Sequence, residues 1–262
     1  SVSIIDIDNP GAPILDAIGD TIVCDLFNLE VITGAGLTGN ESYWNGSGAT
    51  GTQYNAGDPI TSTMTIYAYD VNGICSDEVS FVITVNTTPV LDQPSDTTVC
   101  DTYDLEPITG TSVTAGAAHY NNWPSAGGTV ITGSLTSSQT VYVHDASGTC
   151  ADSVSFVVTV NSTPTLTLVD PAAVCEPDLI DLTQASVSSS DVGNLSYYTD
   201  AGLSILVTDA TQVSTGLYYV EADNGGCTSS GTLNVTINPI PSAPTAGTNS
   251  EYCSTVPFAD MT

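Results

Sequence analysis

The sequence predicts an all-β protein built from tandem repeats, and three observations carry that prediction. Apolar residues alternate with their neighbours along short runs, as Val79, Phe81, Ile83 and Val85 do, and this is the pattern of a strand buried on one face. Clusters of Gly, Asn, Asp and Ser interrupt the runs at turn positions. Cysteines recur with a regular period. Because no segment has a helical pattern, we expect strands throughout.

The spacing of the cysteines defines the repeat. They stand at positions 24, 75, 100, 150, 175, 227 and 253, so a long interval alternates with one half as long. Short motifs return with them: Thr21-Ile-Val-Cys-Asp25 matches Thr97-Thr-Val-Cys-Asp101, and Asp70-Val-Asn-Gly-Ile-Cys75 matches Asp145-Ala-Ser-Gly-Thr-Cys150. Every second cysteine thus returns after about 75 residues, and repetition of this kind indicates an array of similar units. We predict three whole repeats, at residues 13–88, 89–163 and 164–240. Residues 1–12 are predicted to be the last strand of a preceding repeat, and residues 241–262 the start of a following one.

The repeats are predicted to be disulfide-bonded. Several short strands and hairpins in about 75 residues indicate an antiparallel β-sandwich of the immunoglobulin-like type. A unit this small is marginal on its core alone, and closing a loop of about 50 residues adds roughly 4 kcal/mol on the chain-entropy model. We expect one disulfide in each repeat and therefore an oxidising compartment, with the pairs Cys24–Cys75, Cys100–Cys150 and Cys175–Cys227. Zinc is a poor alternative because the chain lacks paired CxxC units.

The charge of the chain excludes several classes of function. Of the 262 residues, 29 are acidic, two are histidine and none is lysine or arginine, so the formal net charge is −29. Nucleic-acid binding and phosphate clamps need cationic side chains, anionic membranes repel such a chain, and no run approaches the ~20 apolar residues of a membrane span. Because 41% of the residues are hydrophobic, we interpret the charge as the surface of a folded protein and not as disorder.

Three stretches resemble a known family: residues 40–58, residues 100–110 and Gly216-Leu-Tyr-Tyr-Val-Glu-Ala-Asp-Asn-Gly-Gly-Cys227. They resemble the Ig-like repeats of giant surface proteins from the Bacteroidota, which are exported by the type 9 secretion system and include gliding-motility adhesins. The resemblance covers essentially the whole chain. It implies an extracellular location at the cell surface.

Aspartates near the predicted joints between repeats suggest calcium as the one candidate cofactor. Two groups of acids lie there: Asp6, Asp8, Asp16 and Asp20 at the first joint, and Asp92 and Asp96 at the second. Carboxylates are the ligands that calcium prefers, although Asp6-Ile-Asp-Asn-Pro-Gly11 is not an EF-hand loop. Solvated surface charge is the alternative interpretation.

Three hydroxyl residues are candidate O-glycosylation sites. Thr21, Thr97 and Ser153 each follow an aspartate and precede an apolar or β-branched residue. These tripeptides resemble the Asp-Ser/Thr-apolar acceptor site of the same phylum. Thr21 and Thr97 occupy the same place in successive repeats.

No catalytic or cofactor-binding residues are predicted. Gly46-Ser-Gly-Ala-Thr-Gly51 matches the letters of a dinucleotide-binding motif but lies between predicted strands, so we interpret it as a turn. His119 and His144 have no nucleophile at a recognisable spacing, and we expect both at the surface. Paired acids carry no weight for glycosidase chemistry among so many carboxylates.

Two functional hypotheses from different classes follow. The first is a structural stalk or filament segment of a very long surface protein, whose partners are neighbouring repeats and copies of itself. The second is an adhesive module that binds carbohydrate or another cell surface. Trp44, Trp123 and Tyr198 fall at comparable places in the three repeats, either as core or subsurface rings or as a sugar-binding platform. We expect no enzymatic activity, since nearly every feature recurs with the repeat, whereas an active site is unique.

Overall fold

The computed structural model describes residues 11–243. The predicted strand at the start of the chain and most of the predicted following repeat, including Cys253, lie outside these residues. The chain divides between Asn161 and Ser162 into two compact units. The first unit contains two repeats and the second contains one.

The first repeat consists of nine strands. They are β1 (Ile14–Leu15), β2 (Thr21–Cys24), β3 (Phe27–Asn28), β4 (Gly34–Ala35), β5 (Ser42–Gly46), β6 (Thr50–Tyr54), β7 (Pro59–Ile60), β8 (Met64–Asn72) and β9 (Cys75–Asn86).

Five of these strands form a long sheet in the order β2-β9-β8-β5-β6. The two longest, β8 and β9, form a hairpin closed by the turn that ends at Cys75. At the sheet edge, β2 runs parallel to β9, and the register places Cys24 opposite Asn86. Two short pairs, β1 with β4 and β3 with β7, supply the facing layer of the sandwich.

The second repeat has six strands with the same arrangement. They are β10 (Val90–Leu91), β11 (Thr97–Cys100), β12 (Gly110–Thr111), β13 (Ala118–Tyr120), β14 (Gln139–Ser147) and β15 (Cys150–Asn161), together with a 3₁₀ turn at Pro124–Ala126. The long sheet has the order β11-β15-β14-β13, and β11 again runs parallel to the last strand.

The third repeat, in the second unit, has seven strands. They are β16 (Leu166–Leu168), β17 (Val174–Cys175), β18 (Ser188–Ser190), β19 (Asn194–Tyr198), β20 (Gly216–Asn224), β21 (Cys227–Val235) and β22 (Ile237–Asn238). Here β17 pairs in parallel with β22, which places Cys175 opposite Asn238.

Each repeat has its own hydrophobic core, formed by alternate residues of its two longest strands. In the first repeat, Ile66 and Ala68 on β8 are buried on the same side of the sheet as Phe81 and Ile83 on β9. The matching residues are Val141, Val143, Phe156 and Val158 in the second repeat and Tyr218, Val220, Leu233 and Val235 in the third. The prediction of an all-β tandem of immunoglobulin-like sandwiches is confirmed, and no α-helix occurs between residues 11 and 243.

A buried aspartate anchors the loop that crosses each of the first two cores. Asp145 is fully buried and accepts hydrogen bonds from the N–H and the hydroxyl of Thr114, the former at 2.7 Å. Asp70 makes the same two contacts with Thr38. In the third repeat, the register places Ala222 at this position. The carboxylate is therefore a feature of the first two repeats that the third does not need.

Replacing Asp145 by alanine is expected to destabilise the second repeat by about 1–3 kcal/mol, the usual cost of leaving a buried polar group without its partner. Urea unfolding followed by tyrosine and tryptophan fluorescence measures this change. Glu106→Ala is the control, because it removes one exposed carboxylate from the same repeat. Equal effects of the two substitutions would contradict a structural role for Asp145.

The same contacts predict a pH dependence. The pKa of Asp145 lies below its ordinary value: burial alone raises it, but hydrogen bonds from Thr114 and Ala146 outweigh burial. A carboxylate with a lowered folded-state pKa stabilises above the pKa of the unfolded state and loses that contribution as the pH falls through the folded value. The difference between wild type and Asp145→Ala should therefore be full above about pH 5 and shrink below about pH 4.

Candidate functional site

The cysteines occupy two kinds of position at opposite ends of a repeat. The edge-strand cysteines, Cys24, Cys100 and Cys175, end the strand that runs parallel to the last strand. The hairpin cysteines, Cys75, Cys150 and Cys227, begin the second strand of the long hairpin. In the first repeat, the register places Cys24 beside Asn86, at the far end of β9 from Cys75.

One disulfide joins the first repeat to the second. Cys24 is bonded to Cys150, with an S–S distance of 2.07 Å, a Cα–Cα distance of 5.6 Å and a sequence separation of 126 residues. The predicted pairs Cys24–Cys75 and Cys100–Cys150 are therefore both wrong. Cys100 and Cys227 are also disulfide-bonded. Cys175 has no disulfide partner among residues 11–243, so the predicted pair Cys175–Cys227 is wrong as well.

Strand length explains why the pairing within repeats fails. Cys75 and Asn86 are the first and last residues of β9, so they lie about 37 Å apart at 3.4 Å per residue. Cys24 lies beside Asn86, whereas the Cα atoms of a disulfide are usually within about 7 Å of each other. The hairpin of the second repeat, which carries Cys150, does come this close to Cys24.

At this joint, the linker between the two repeats is held by hydrogen bonds in addition to the disulfide. The Sγ atom of Cys150 lies 3.8 Å from the carbonyl oxygens of Val23 and Asn86. The carboxylate of Asp25 accepts hydrogen bonds from the N–H and the hydroxyl of Thr88, both at 2.8 Å. These two bonds hold the pKa of Asp25 below its ordinary value. The joint between the first two repeats is thus tied by a covalent bond and by a carboxylate clamp on the linker.

Two of the aspartates proposed as calcium ligands accept hydrogen bonds from backbone N–H groups. Asp20 accepts the N–H of Val82 at 2.8 Å, and Asp96 accepts the N–H of Val157 at 2.7 Å. Asp6 and Asp8 lie outside the described residues. In the part of the chain that the structure describes, no three His, Cys, Asp or Glu side chains are grouped as a metal site. Calcium at the joints stays a prediction.

The glycosylation candidates lie on edge or hairpin strands. Thr21 and Thr97 are half-buried at equivalent positions of β2 and β11, and Ser153 is exposed on β15. The Ser153 hydroxyl lies 2.8 Å from Nδ1 of His144. Because Asp20 and Asp96 have a structural role, the recurrence of the Asp-Thr pair does not require a modification, and glycosylation stays a prediction.

His119 occupies the place that a buried tyrosine has in the other repeats. The register places Tyr43 opposite Ala68, His119 opposite Val143 and Tyr197 opposite Val220, all equivalent positions. His119 and His144 are both half-buried, and burial lowers the pKa of His119. His119 lines a cleft of about 380 Å³ with Tyr103 and Phe156. A smaller cleft of about 280 Å³ lies at the same place in the first repeat, so the cleft is a property of the repeat and not a unique site.

Partly exposed aromatic pairs recur on the outer face of the long sheet. The register pairs Trp44 with Tyr67, Tyr120 with Tyr142 and Tyr198 with Tyr219, and all six rings are half-buried. They lie on the opposite strand face from the core residues. We call these six residues and Trp123 the outer aromatic face.

The structure changes one member of the predicted aromatic set. Tyr120, and not Trp123, is the register equivalent of Trp44 and Tyr198. Trp123 follows in a loop and packs against Tyr142, with ring centroids 4.5 Å apart. The two tryptophans therefore reach similar surroundings from different backbone positions.

The glycine-rich motif Gly46–Gly51 is the hairpin turn between β5 and β6, as predicted. The strand β6 follows it, whereas a dinucleotide site requires a helix there. No helix in residues 11–243 is long and apolar enough to cross a membrane.

Among the comparisons with known proteins, only the comparison with solved structures found similarities. No protein-family model and no curated protein matches the sequence. A three-domain titin fragment, I67–I69, is 12% identical with a TM-score of 0.46, covering 87% of this chain and 99% of its own. Extracellular domains 3–5 of Drosophila OTK are 10% identical with a TM-score of 0.41, covering 87% and 98%. Immunoglobulin domains 1–5 of Sidekick-1 are 11% identical with a TM-score of 0.35, covering 86% and 60%.

Removing the Cys24–Cys150 bond is expected to destabilise the first two repeats. Loss of a cross-link of this span costs about 5 kcal/mol on the chain-entropy model, so Cys24→Ser, Cys150→Ser and the double variant should show the same loss in chemical unfolding. Cys175→Ser is the control, since it removes an exposed cysteine with no described disulfide partner. Losses that add in the double variant would show that the two sulfur atoms act separately.

Proposed function

We propose that the chain is a structural stalk or filament segment of a very long extracellular surface protein, exported by type 9 secretion and related to gliding adhesins. One observation carries the proposal: the disulfide Cys24–Cys150 ties one repeat to the next. Such a bond adds nothing to a catalytic site or a ligand pocket. It does strengthen the joint, and the joint is where an array of otherwise independent sandwiches is weakest under load.

The composition supports the same proposal. A disulfide needs an oxidising compartment to persist, which fits a protein outside the cell. A net charge of −29 without any lysine or arginine keeps neighbouring chains apart and in solution. It also leaves the chain without a cleavage site for trypsin-like proteases. We propose no catalytic activity, because the clefts and the aromatic pairs recur from repeat to repeat.

The proposal can be tested on intact source cells by immunogold electron microscopy with antibodies against this segment. Gold particles are expected along fibres that project from the cell surface, without permeabilisation of the cells. Antibody depleted on the recombinant segment is the control. Labelling that requires permeabilisation, or that stays at the membrane, contradicts the proposed location and reach.

The outer aromatic face favours a second candidate, an adhesive module that binds carbohydrate. Sugar rings stack on tryptophan and tyrosine through their apolar faces, and this interaction needs no cationic residue. The face is present in all three repeats, so several weak sites in series could act together through their high effective concentration.

A glycan array distinguishes this candidate from a stalk without ligands. If the face binds sugars, substituting Trp44, Tyr120 and Tyr198 by alanine should reduce retained signal at least tenfold, since each ring contributes on the order of a kcal/mol. The control replaces three exposed apolar residues in or beside the short strands of the other layer, Ile14, Val90 and Val169, by alanine. No glycan retained by the wild-type segment, or an equal loss in both variants, rejects the binding module.

A further inference from the structure

We infer that the cysteines follow one rule along the array: each edge-strand cysteine bonds to the hairpin cysteine of the next repeat. The bond Cys24–Cys150 is the first instance. Cys100 and Cys227 occupy the same two positions and are both disulfide-bonded. Cys175, an exposed cysteine at the end of its edge strand, occupies the same position as Cys24 and Cys100.

The rule gives the array a short covalent path. Each hairpin cysteine is followed closely in the sequence by the next edge-strand cysteine, namely Cys75 by Cys100, Cys150 by Cys175 and Cys227 by Cys253. Each of these short segments reaches about 90 Å when it is fully stretched. A force entering at one hairpin therefore passes through only one such segment before it reaches the next disulfide. The rest of the two repeats lies in side loops that the cross-links bypass.

In the folded protein, the segment from Cys75 to Cys100 is already close to its fully stretched length. In the first unit it begins at Cys75, follows the 12 residues of β9, crosses the joint and ends at Cys100, which lies opposite Asn161 at the end of the 12-residue strand β15. Two strands of this length and the joint add up to about 80 Å, close to the stretched length of the segment. Unfolding the repeats therefore lengthens a cross-linked array by little.

The consequence is a fibre that resists extension even when its domains unfold. In an array of the same sandwiches without these bonds, each repeat that unfolds supplies about 270 Å of stretched chain. With the bonds, the length is limited by the short covalent path, and the rest of the chain is free to lose and regain structure without lengthening the fibre. This property goes beyond the proposed stalk function and does not depend on the cellular location of the protein.

Formation of each bond requires an oxidant. A small disulfide such as oxidised glutathione supplies one by two thiol–disulfide exchanges. The thiolate of one cysteine attacks the small disulfide and releases one glutathione thiol, and the second cysteine thiolate then displaces the other. Two protein thiols lose two electrons and two protons, and one disulfide is reduced to two thiols.

Single-molecule pulling on the 262-residue segment tests the rule. Handles are attached through click-reactive residues at Ile74, which is 95% exposed at a hairpin turn, and at the exposed Thr228. If the rule holds, the covalent path between the handles measures about 100 Å at full extension. The oxidised segment should stop at this length at forces that unfold the repeats.

Three comparisons make the result decisive. Reduction with dithiothreitol should release the whole chain between the handles, about 550 Å. Cys100→Ser should allow about 450 Å, because the bond Cys24–Cys150 then shortens the remaining path. Cys24→Ser is the matched control: it also removes one disulfide but leaves the short path intact, so its limit should stay near about 100 Å. An oxidised wild-type segment that extends several hundred ångströms overturns the rule.

Discussion

The parallel pairing of each edge strand with the last strand of its long sheet determines how the repeats are joined. Because β2 runs beside the end of β9, the cysteine that ends β2 lies at the end of the repeat from which the chain leaves. The hairpin that opens β15 lies at the end where the chain enters the second repeat. The two cysteines meet across the joint, and the 12-residue length of β9 keeps Cys75 away. An edge strand pairing in the antiparallel sense would reverse this geometry and return the disulfide to the repeat interior.

Because the chain has no lysine or arginine, its carboxylates cannot form salt bridges with these side chains. Without cationic side chains, aspartates satisfy backbone N–H groups at places where loops and edge strands meet the long sheet. Asp77 and Asp152 accept the N–H groups of Leu15 and Leu91 at 2.7 Å, and Asp200 accepts several bonds from its own loop. Among residues 11–243 no buried side-chain oxygen or nitrogen lacks a partner. Acidity here is therefore a structural device as well as a surface property.

The alternation of apolar residues and the period of the cysteines were sufficient to predict the all-β tandem. Phe81 and Ile83 are buried as the period of two requires. The disulfide pairing could not be read in the same way, because spacing along the chain does not say which end of a strand a cysteine reaches. Likewise, the roles of Asp20 and Asp145 depend on backbone N–H groups 62 and 31 residues away. His119 illustrates a further limit of sequence analysis. A polar residue does not fit the apolar pattern of a strand, so its place among the core positions is recognised only when the strand register is known.

The long separation between bonded cysteines also constrains the order in which the protein matures. A chain emerging from its N-terminus exposes Cys24 well before Cys150, which follows 126 residues later. During that interval, the first sandwich can fold, but the correct partner of its edge cysteine does not yet exist. Folding of the first repeat helps here, because it separates Cys24 from Cys75 by the length of β9. Folding of the first repeat thus prevents its own two cysteines from pairing, and the bond to Cys150 forms only after the second repeat has been made.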